Sequence, residues 1–110
     1  MIRVVNRSIL RHSPENSAVF NIMRPSVLGN PFKIGRDGSR DEVIEKFRRY
    51  LWSAIQAKNC KILAELSRIK SAAVSGHRVY LVCCCKPARC HGDVIKSCIE
   101  WCIRKEGGAS

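Results

Sequence analysis

The sequence predicts a small α/β fold, with a three- to four-stranded sheet and three helices in a Rossmann-like layered arrangement. Short β-branched apolar segments alternate along the chain with longer segments whose apolar residues follow the helical period. The longest apolar segment, Val79 to Cys85, is continuous, as expected of a parallel strand that is covered on both faces. The length of 110 residues is typical of one domain, so residues 1–110 are expected to form a single domain.

Three strands are predicted. Ile2 to Asn6 and Ala18 to Met23 are short, apolar and rich in β-branched residues, which favours strands. Ser13 to Asn16 supplies turn-forming residues between them. Arg78 to Cys85 is the predicted central strand. The loop of residues 24–38 is rich in proline and glycine, and such a loop is either functional or merely irregular.

The first helix is predicted to begin after Ser39, because Glu42 lies three residues later and completes a capping box. A second helix is predicted from Cys60 to Ala73, with Gly76 as its terminator. The apolar residues of the first helix recur at the helical spacing, and they are Val43, Phe47, Tyr50, Leu51 and Ala54.

The third helix is predicted to begin with Asp93, whose carboxylate is a favoured N-cap. Cys98 and Cys102 lie four residues apart on this helix, and we interpret them as small core residues instead of metal ligands. The predicted inward stripe consists of Val94, Cys98, Trp101 and Cys102.

The chain carries a large positive charge. Twenty Lys and Arg residues against nine Asp and Glu residues give a formal net charge of +11, which attracts nucleic acid, nucleotides and phosphates. The bases are scattered, so no basic arm of the kind that grips a phosphate backbone is visible. An apolar fraction of 45% and a charged fraction of 26% exclude a disordered tail, a collagen-like fibre and a membrane bundle.

The cysteines favour a reducing compartment. The count of seven is odd, and Cys83, Cys84 and Cys85 are contiguous, which fits poorly with a full set of disulfides. Residues 1–7 lack the apolar segment of a signal peptide, so the protein is expected to be cytoplasmic with free thiols. The longest apolar segment is far shorter than the roughly 20 residues of a membrane span, so no membrane association is expected.

A candidate site lies where the central strand ends and the third helix begins. The segment Cys83 to Asp93 follows the carboxyl end of that strand, which is where α/β folds hold ligands. Cys83 and Cys85 project from the same face because side chains alternate along a strand. Pro87 turns the chain back, so Cys90 and His91 are expected near the same edge.

Three chemistries fit this cluster. In the first, Cys90 is a nucleophile with a depressed pKa, and His91 or Asp93 handles protons. In the second, zinc is bound, although the usual Cys-x-x-Cys spacing is absent. In the third, the helix start, two cations and the 29–32 loop hold a phosphate or ribose without covalent chemistry. The zinc ligands would be Cys83, Cys85, Cys90 and His91, and the two cations are Lys86 and Arg89.

A purely structural interpretation competes with all three. The thiols would then be packing at a strand end, His91 a satisfied structural histidine, and Asp93 simply an N-cap. Against this interpretation stands the density of polar and thiol groups at the place where α/β folds hold ligands.

The chain resembles a known family. Val4-Val5-Asn6, residues 22–32 with Gly29-Asn30-Pro31-Phe32, Gly38-Ser39-Arg40, and Cys83 to Asp93 occur in this order. Together they resemble the phage and bacterial proteins grouped as domain of unknown function 4326. The resemblance implies a shared pocket built from the Asn30 loop, Arg40 and the 90–93 turn, and it brings no established activity. The expected ligand-binding residues are Asn6, Gly29, Asn30, Pro31, Phe32, Arg40, Lys86, Arg89 and Gly92.

Our leading hypothesis for the function is a pocket for a nucleotide or related phosphate-bearing molecule. Turnover of the hydrolase or N-glycosidase-like kind would use Cys90, His91 and Asp93. The alternative is a basic nucleic-acid-binding module with a structural Cys/His cluster, held together by zinc. A third interpretation, a protein that binds another protein, leaves little trace in one sequence.

Overall fold

The computed structural model describes residues 2–6, 16–83 and 88–108. It confirms the predicted α/β class, with three helices and a three-stranded sheet in this part of the chain. Within it, none of the helices combines the length and the apolarity that a bilayer-spanning segment needs. The elements are β1 (Ile2–Asn6), β2 (Ser17–Asn21), α1 (Arg40–Gln56), α2 (Cys60–Val74), β3 (Arg78–Cys83) and α3 (His91–Gly108).

The sheet is parallel, with the strand order β1-β3-β2. Asn6 pairs with Cys83, and Asn21 pairs with Val82, so all three strands end at the same edge of the sheet. β2 ends two residues before the predicted Met23, although the Ile22 N–H still donates to the Val82 carbonyl at 3.1 Å. The predicted continuation of β3 through residues 84 and 85 lies outside the described residues.

β3 is buried on both faces, as its continuous apolar sequence predicts. Val79, Leu81 and Cys83 point into a hydrophobic core shared with residues of all three helices. Tyr80 and Val82, which alternate with them and therefore lie on the other face, are each only 8% exposed.

The predicted capping box at the start of α1 is confirmed. The Ser39 hydroxyl accepts from the Glu42 N–H at 3.3 Å, and the Glu42 carboxylate accepts from the Ser39 N–H at 2.9 Å. The buried face of α1 consists of Val43, Ile44, Phe47 and Leu51. Tyr50, predicted to be in that series, is 36% exposed and contacts Phe47 from the helix flank.

The predicted terminator of α2 is also confirmed. Gly76 has a φ of +91°, a left-handed conformation that glycine adopts without a Cβ penalty. Its N–H donates to the Ala73 carbonyl, and the next N–H, of His77, donates to the Ala72 carbonyl. These two hydrogen bonds form a Schellman motif, which satisfies the last carbonyls of the helix.

α3 begins three residues earlier than an N-cap at Asp93 predicts, so Asp93 is its third residue and not its N-cap. The core-facing side chains include Val94, Ile95 and Ile99, and the last two were not predicted. Cys98 packs against this core as predicted. Trp101 was wrongly placed on the inward stripe, because it is 45% exposed.

Candidate functional site

A cavity of about 380 Å³ lies at the edge of the sheet where the strands end. Its walls come from the loop after β2, the first turn of α1, the end of β3 and the start of α3. Small-molecule sites have volumes of about 300–1,000 Å³. The described residues that line the cavity are Met23, Arg24, Asn30, Phe32, Lys33, Ile34, Arg40, Val43, Ile44, Cys83, Arg89, Cys90 and His91.

The loop wall is shaped by Asn30 and by the glycine before it. The Asn30 Oδ1 accepts from the Phe32 N–H at 2.9 Å, while its Nδ2 donates to the Val43 carbonyl at 3.4 Å. Gly29 passes so close to Arg24 that a Cβ would lie 2.9 Å from the Arg24 backbone N and Cα. The Arg24 guanidinium in turn donates to the Asn30 carbonyl at 3.2 Å. The loop therefore folds back on itself and presents Arg24, Asn30 and Phe32 to the cavity.

Two arginines join the start of α1 to the segment before α3. The Arg40 Nη1 donates to the Arg89 carbonyl at 3.0 Å. The Arg89 Nη1 contacts the Asp41 Oδ1 at 2.7 Å, and both of these side chains are mostly exposed, so this ion pair contributes little to stability. A guanidinium has five N–H donors, so an arginine that is held by a protein carbonyl still offers donors to a ligand.

The thiols of Cys83 and Cys90 lie against each other in the wall of the cavity. Their sulfur atoms are 3.2 Å apart, which is too far for a disulfide bond between them, and both residues are buried. The contact with Cys83 and the loss of solvent together raise the pKa of Cys90, against a smaller lowering from the Gly92 N–H. The predicted depressed pKa of Cys90 is therefore wrong, and Cys90 is a protonated thiol at neutral pH.

His91 is a buried, neutral side chain. It is 8% exposed, and its Nε2 lies 2.7 Å from the Ile22 carbonyl oxygen. A carbonyl can only accept, so Nε2 carries the proton. Burial lowers the pKa of His91, although hydrogen bonds to the backbones of Ile22 and Leu28 oppose this shift. The Phe47 ring contacts the imidazole edge-on, with ring centroids 5.0 Å apart.

Backbone N–H groups at the start of α3 are hydrogen-bonded to nearby side chains. The Asp93 carboxylate accepts from the Cys90 N–H at 3.2 Å, and the Gly92 N–H contacts the Cys90 sulfur. Gly92 packs so tightly that a Cβ would lie 2.7 Å from Val4 Cγ1. The purely structural interpretation thus accounts for the local roles of His91 and Asp93. It does not account for the cavity beside them.

Half of the predicted ligand-binding and catalytic residues meet at this cavity. Asn30, Phe32, Arg40, Arg89, Cys90 and His91 line it, while Asn6, Gly29, Pro31, Gly92 and Asp93 lie outside its described lining. Lys86 and Cys85 fall outside the described residues. Sequence reasoning missed six lining residues, of which Arg24 and Lys33 had the clearest signal, since both flank the Gly-Asn-Pro-Phe loop. The other four are Met23, Ile34, Val43 and Ile44.

The zinc alternative stays a prediction, because Cys85, one of its four ligands, lies outside the described residues. In residues 2–6, 16–83 and 88–108, no group of three or more His, Cys, Asp or Glu side chains is arranged to hold a metal ion. Of the predicted ligands, Cys83, Cys90 and His91 are in this part of the chain. The His91 Nε2 proton already serves the Ile22 carbonyl.

Residues 5–101 match the sequence model of a family described as "Domain of unknown function (DUF4326)". The chain belongs to this family. No match was found among curated proteins or among solved structures. All of the described cavity-lining residues lie within the matched range, so the cavity is in the part of the chain that the family model matches.

The lowered pKa of His91 predicts how stability depends on pH. The unfolded chain protonates this imidazole near pH 6.5, whereas the folded chain resists protonation. The contribution of His91 to stability is therefore fully present above about pH 6.5. It falls as the pH drops toward the lowered pKa of the folded state, by at most about 1.4 kcal/mol per pH unit. The carboxyls of Asp37 and Glu42 also have lowered pKa values, so their contributions disappear in a more acidic range.

Urea unfolding between pH 5 and 8 measures this dependence. The His91→Gln variant is expected to lose most of the decline in stability between about pH 6.5 and pH 5. If the free energy of unfolding of His91→Gln falls with pH as steeply as that of the parent protein, then His91 is not the titrating group.

Proposed function

We propose that the protein binds a nucleotide, or a closely related small molecule that carries phosphate, in the cavity at the carboxyl edge of its sheet. The observation that carries the proposal is the charge of the lining: Arg24, Lys33, Arg40 and Arg89 are basic, and no Asp or Glu is among the described residues that line the cavity. A concave site with charges of a single sign concentrates ligands of the opposite charge.

The ligand chemistry follows from the donors. Arginine guanidinium groups match phosphate oxygens with two parallel hydrogen bonds, and lysine adds a mobile point charge. Arg40 is the best-placed group, because its Nη1 bond to the Arg89 carbonyl fixes the guanidinium at the cavity wall. Arg40 is also half-buried, so a charge-assisted hydrogen bond there is screened less by water than one at the surface.

The rest of the lining supports a ligand with a flat or apolar part. Met23, Phe32 and Ile34 come from the loop, and Val43 and Ile44 come from α1. The Phe32 ring is held edge-on against Tyr50, with centroids 6.2 Å apart. A base or similar ring would pack against these side chains while its phosphate meets the cations, which favours a nucleotide over inorganic phosphate.

The site differs in one respect from the expected phosphate cradle. The Cys90 N–H is bonded to the Asp93 carboxylate, and that carboxylate already places a negative charge at the start of α3. The arginines are therefore the anion-binding groups in our proposal, in place of the helix N-terminus. Cys90 is protonated, and Asp93 accepts a backbone hydrogen bond, so neither group is prepared for the predicted catalytic role. Turnover by Cys90, His91 and Asp93 stays a prediction.

We also propose a cytoplasmic location for this function. The cysteines Cys60, Cys90, Cys98 and Cys102 are free thiols, and a reducing compartment preserves thiols. Nucleotides are abundant in the same compartment.

The proposal is tested by calorimetric titration and thermal unfolding with ribonucleotides, the corresponding nucleosides and inorganic phosphate. We expect binding of a nucleotide and much weaker binding of its nucleoside. A ligand present at a hundred times its Kd adds about 2.7 kcal/mol of stability. Arg40→Gln should weaken binding by about tenfold or more, because it removes a charged donor.

The matched control is Lys61→Gln, which removes the same charge from an exposed position on α2. It should leave nucleotide affinity unchanged within error. Equal losses in the two variants would show a general effect of net charge. If no member of a broad nucleotide panel binds to the parent protein, the proposal fails.

A further inference from the structure

Both tryptophans of the chain lie in a second groove, between α1 and α3. Trp52 is 50% exposed and Trp101 is 45% exposed, and they are the two tryptophans in the sequence. Their rings meet edge-to-face, with centroids 6.4 Å apart and an interplanar angle of 83°. The groove has a volume of about 620 Å³ and shares no described lining residue with the nucleotide cavity. Two large aromatic side chains are thus held together where water reaches them.

The rim of this tryptophan groove is basic. Arg48, Arg49 and Arg104 line the groove, and no Asp or Glu is among its described lining residues. The Lys105 ammonium lies 5.7 Å from the centre of the Trp101 ring. The carboxylate of Glu45 contacts Arg48 at 3.3 Å and Arg49 at 3.7 Å, but these side chains are all more than half exposed. Such surface pairs are weak, so the groove keeps a net positive charge.

We propose that the tryptophan groove binds single-stranded nucleic acid, at a site separate from the nucleotide cavity. Proteins that bind single strands combine a positively charged groove for the phosphates with aromatic side chains on which bases stack. The tryptophan groove has both features, and the net charge of +11 attracts a polyanion from a distance. Because stacking depends on ring faces and not on base edges, the groove should tolerate many sequences.

The charge and the rings together distinguish this partner from three others. A second copy of the chain carries the same positive groove and is repelled by it. An acidic peptide supplies negative charge but offers few ring faces to the indoles. A duplex keeps its bases stacked inside, so its phosphates can meet the arginines but its bases cannot reach the tryptophans.

Intrinsic fluorescence reports directly on this site, because every tryptophan of the protein lies in the groove. Titration with oligothymidylate of about twelve nucleotides, within the usual site size, should quench the emission at low salt. The affinity is then measured by anisotropy of the labelled oligonucleotide. Trp52→Ala should weaken binding by about fivefold or more, and Trp52→Phe by less, since a ring is retained.

A pair of matched double variants separates the groove from overall charge. Arg49→Ser with Arg104→Ser removes two charges from the groove, and Lys61→Ser with Arg78→Ser removes two exposed charges elsewhere. The slope of log affinity against log salt should become shallower by about 0.7 for each phosphate that the groove variant no longer neutralises. The control variant should keep most of the parent slope.

Four results of the binding experiments would overturn the proposal. They are unquenched tryptophan emission at saturating oligonucleotide, equal losses in the two double variants, equal affinity for a duplex of the same length, and equally effective competition by polyglutamate. The last result would assign the groove to acidic proteins. Sedimentation of the free protein tests the remaining partner, since self-association that Trp52→Ala abolishes would assign the groove to a second copy.

Discussion

Replacement of Phe47 by alanine is expected to lower the free energy of unfolding by about 3–5 kcal/mol. Phe47 is completely buried in the core and also contacts the His91 ring. Its removal loses apolar burial and leaves a void that the surrounding side chains fill only in part. Since small domains are stable by only about 5–15 kcal/mol, the variant should be close to unfolding at physiological temperature.

Urea unfolding measures this loss. Phe47→Leu is the matched control, because it keeps most of the apolar volume and should cost about 1.5 kcal/mol. Tyr50→Ala removes a ring of similar size from a position that is 36% exposed and should cost less than Phe47→Ala. A loss below about 1 kcal/mol for Phe47→Ala would show that Phe47 is not buried in the core.

Replacement of Gly29 by alanine is expected to lower both the stability and the nucleotide affinity that we propose for the cavity. The new Cβ would lie 2.9 Å from the backbone N and Cα of Arg24 and 3.0 Å from the Ser26 carbonyl oxygen. Backbone atoms cannot rotate away as the end of a side chain can, so the loop itself must move, at a cost of about 1–3 kcal/mol. Because Arg24 and Asn30 are part of the same loop, the cavity loses one of its walls.

Gly76→Ala is the matched control for this variant. A Cβ at Gly76 would meet nothing within 4 Å, so the substitution causes no steric clash. Its cost is the strain of the left-handed backbone at a φ of +91°, about 1–2 kcal/mol. Gly76 precedes β3 and therefore lies at the opposite edge of the sheet from the cavity. Both variants should lose stability by urea unfolding, but only Gly29→Ala should lose nucleotide affinity by calorimetry. Unchanged affinity in Gly29→Ala would show that the loop wall is not used.

The elements of this fold are predictable where local chemistry decides them. The capping box at Ser39, the Schellman glycine at Gly76 and the continuous apolar strand β3 each depend on residues close together in sequence. The position of the site is predictable for a related reason, since parallel strands place their carboxyl ends together. The family motif added Arg40, which the strand rule alone does not include.

The errors arise where distant residues decide. The pKa of Cys90 depends on Cys83, which only the strand and helix bring within 3.2 Å, and the sequence shows the flanking cations more clearly than this contact. The orientation of α3 depends on α1, because Trp101 packs against Trp52 and leaves the core to Ile95 and Ile99. The contribution of Arg24 to the cavity depends on the folded shape of a proline- and glycine-rich loop, for which periodicity gives no guide.

The walls of the cavity at the carboxyl edge of the sheet come from residues 23–34, 40–44, 83 and 89–91, which are widely spaced along the chain. These segments meet only when β3 has inserted between β1 and β2, and such long-range parallel pairing is slow to form. A ligand of this cavity would therefore find no partner in an early, partly collapsed chain. In kinetic experiments it should slow unfolding and leave the refolding rate almost unchanged.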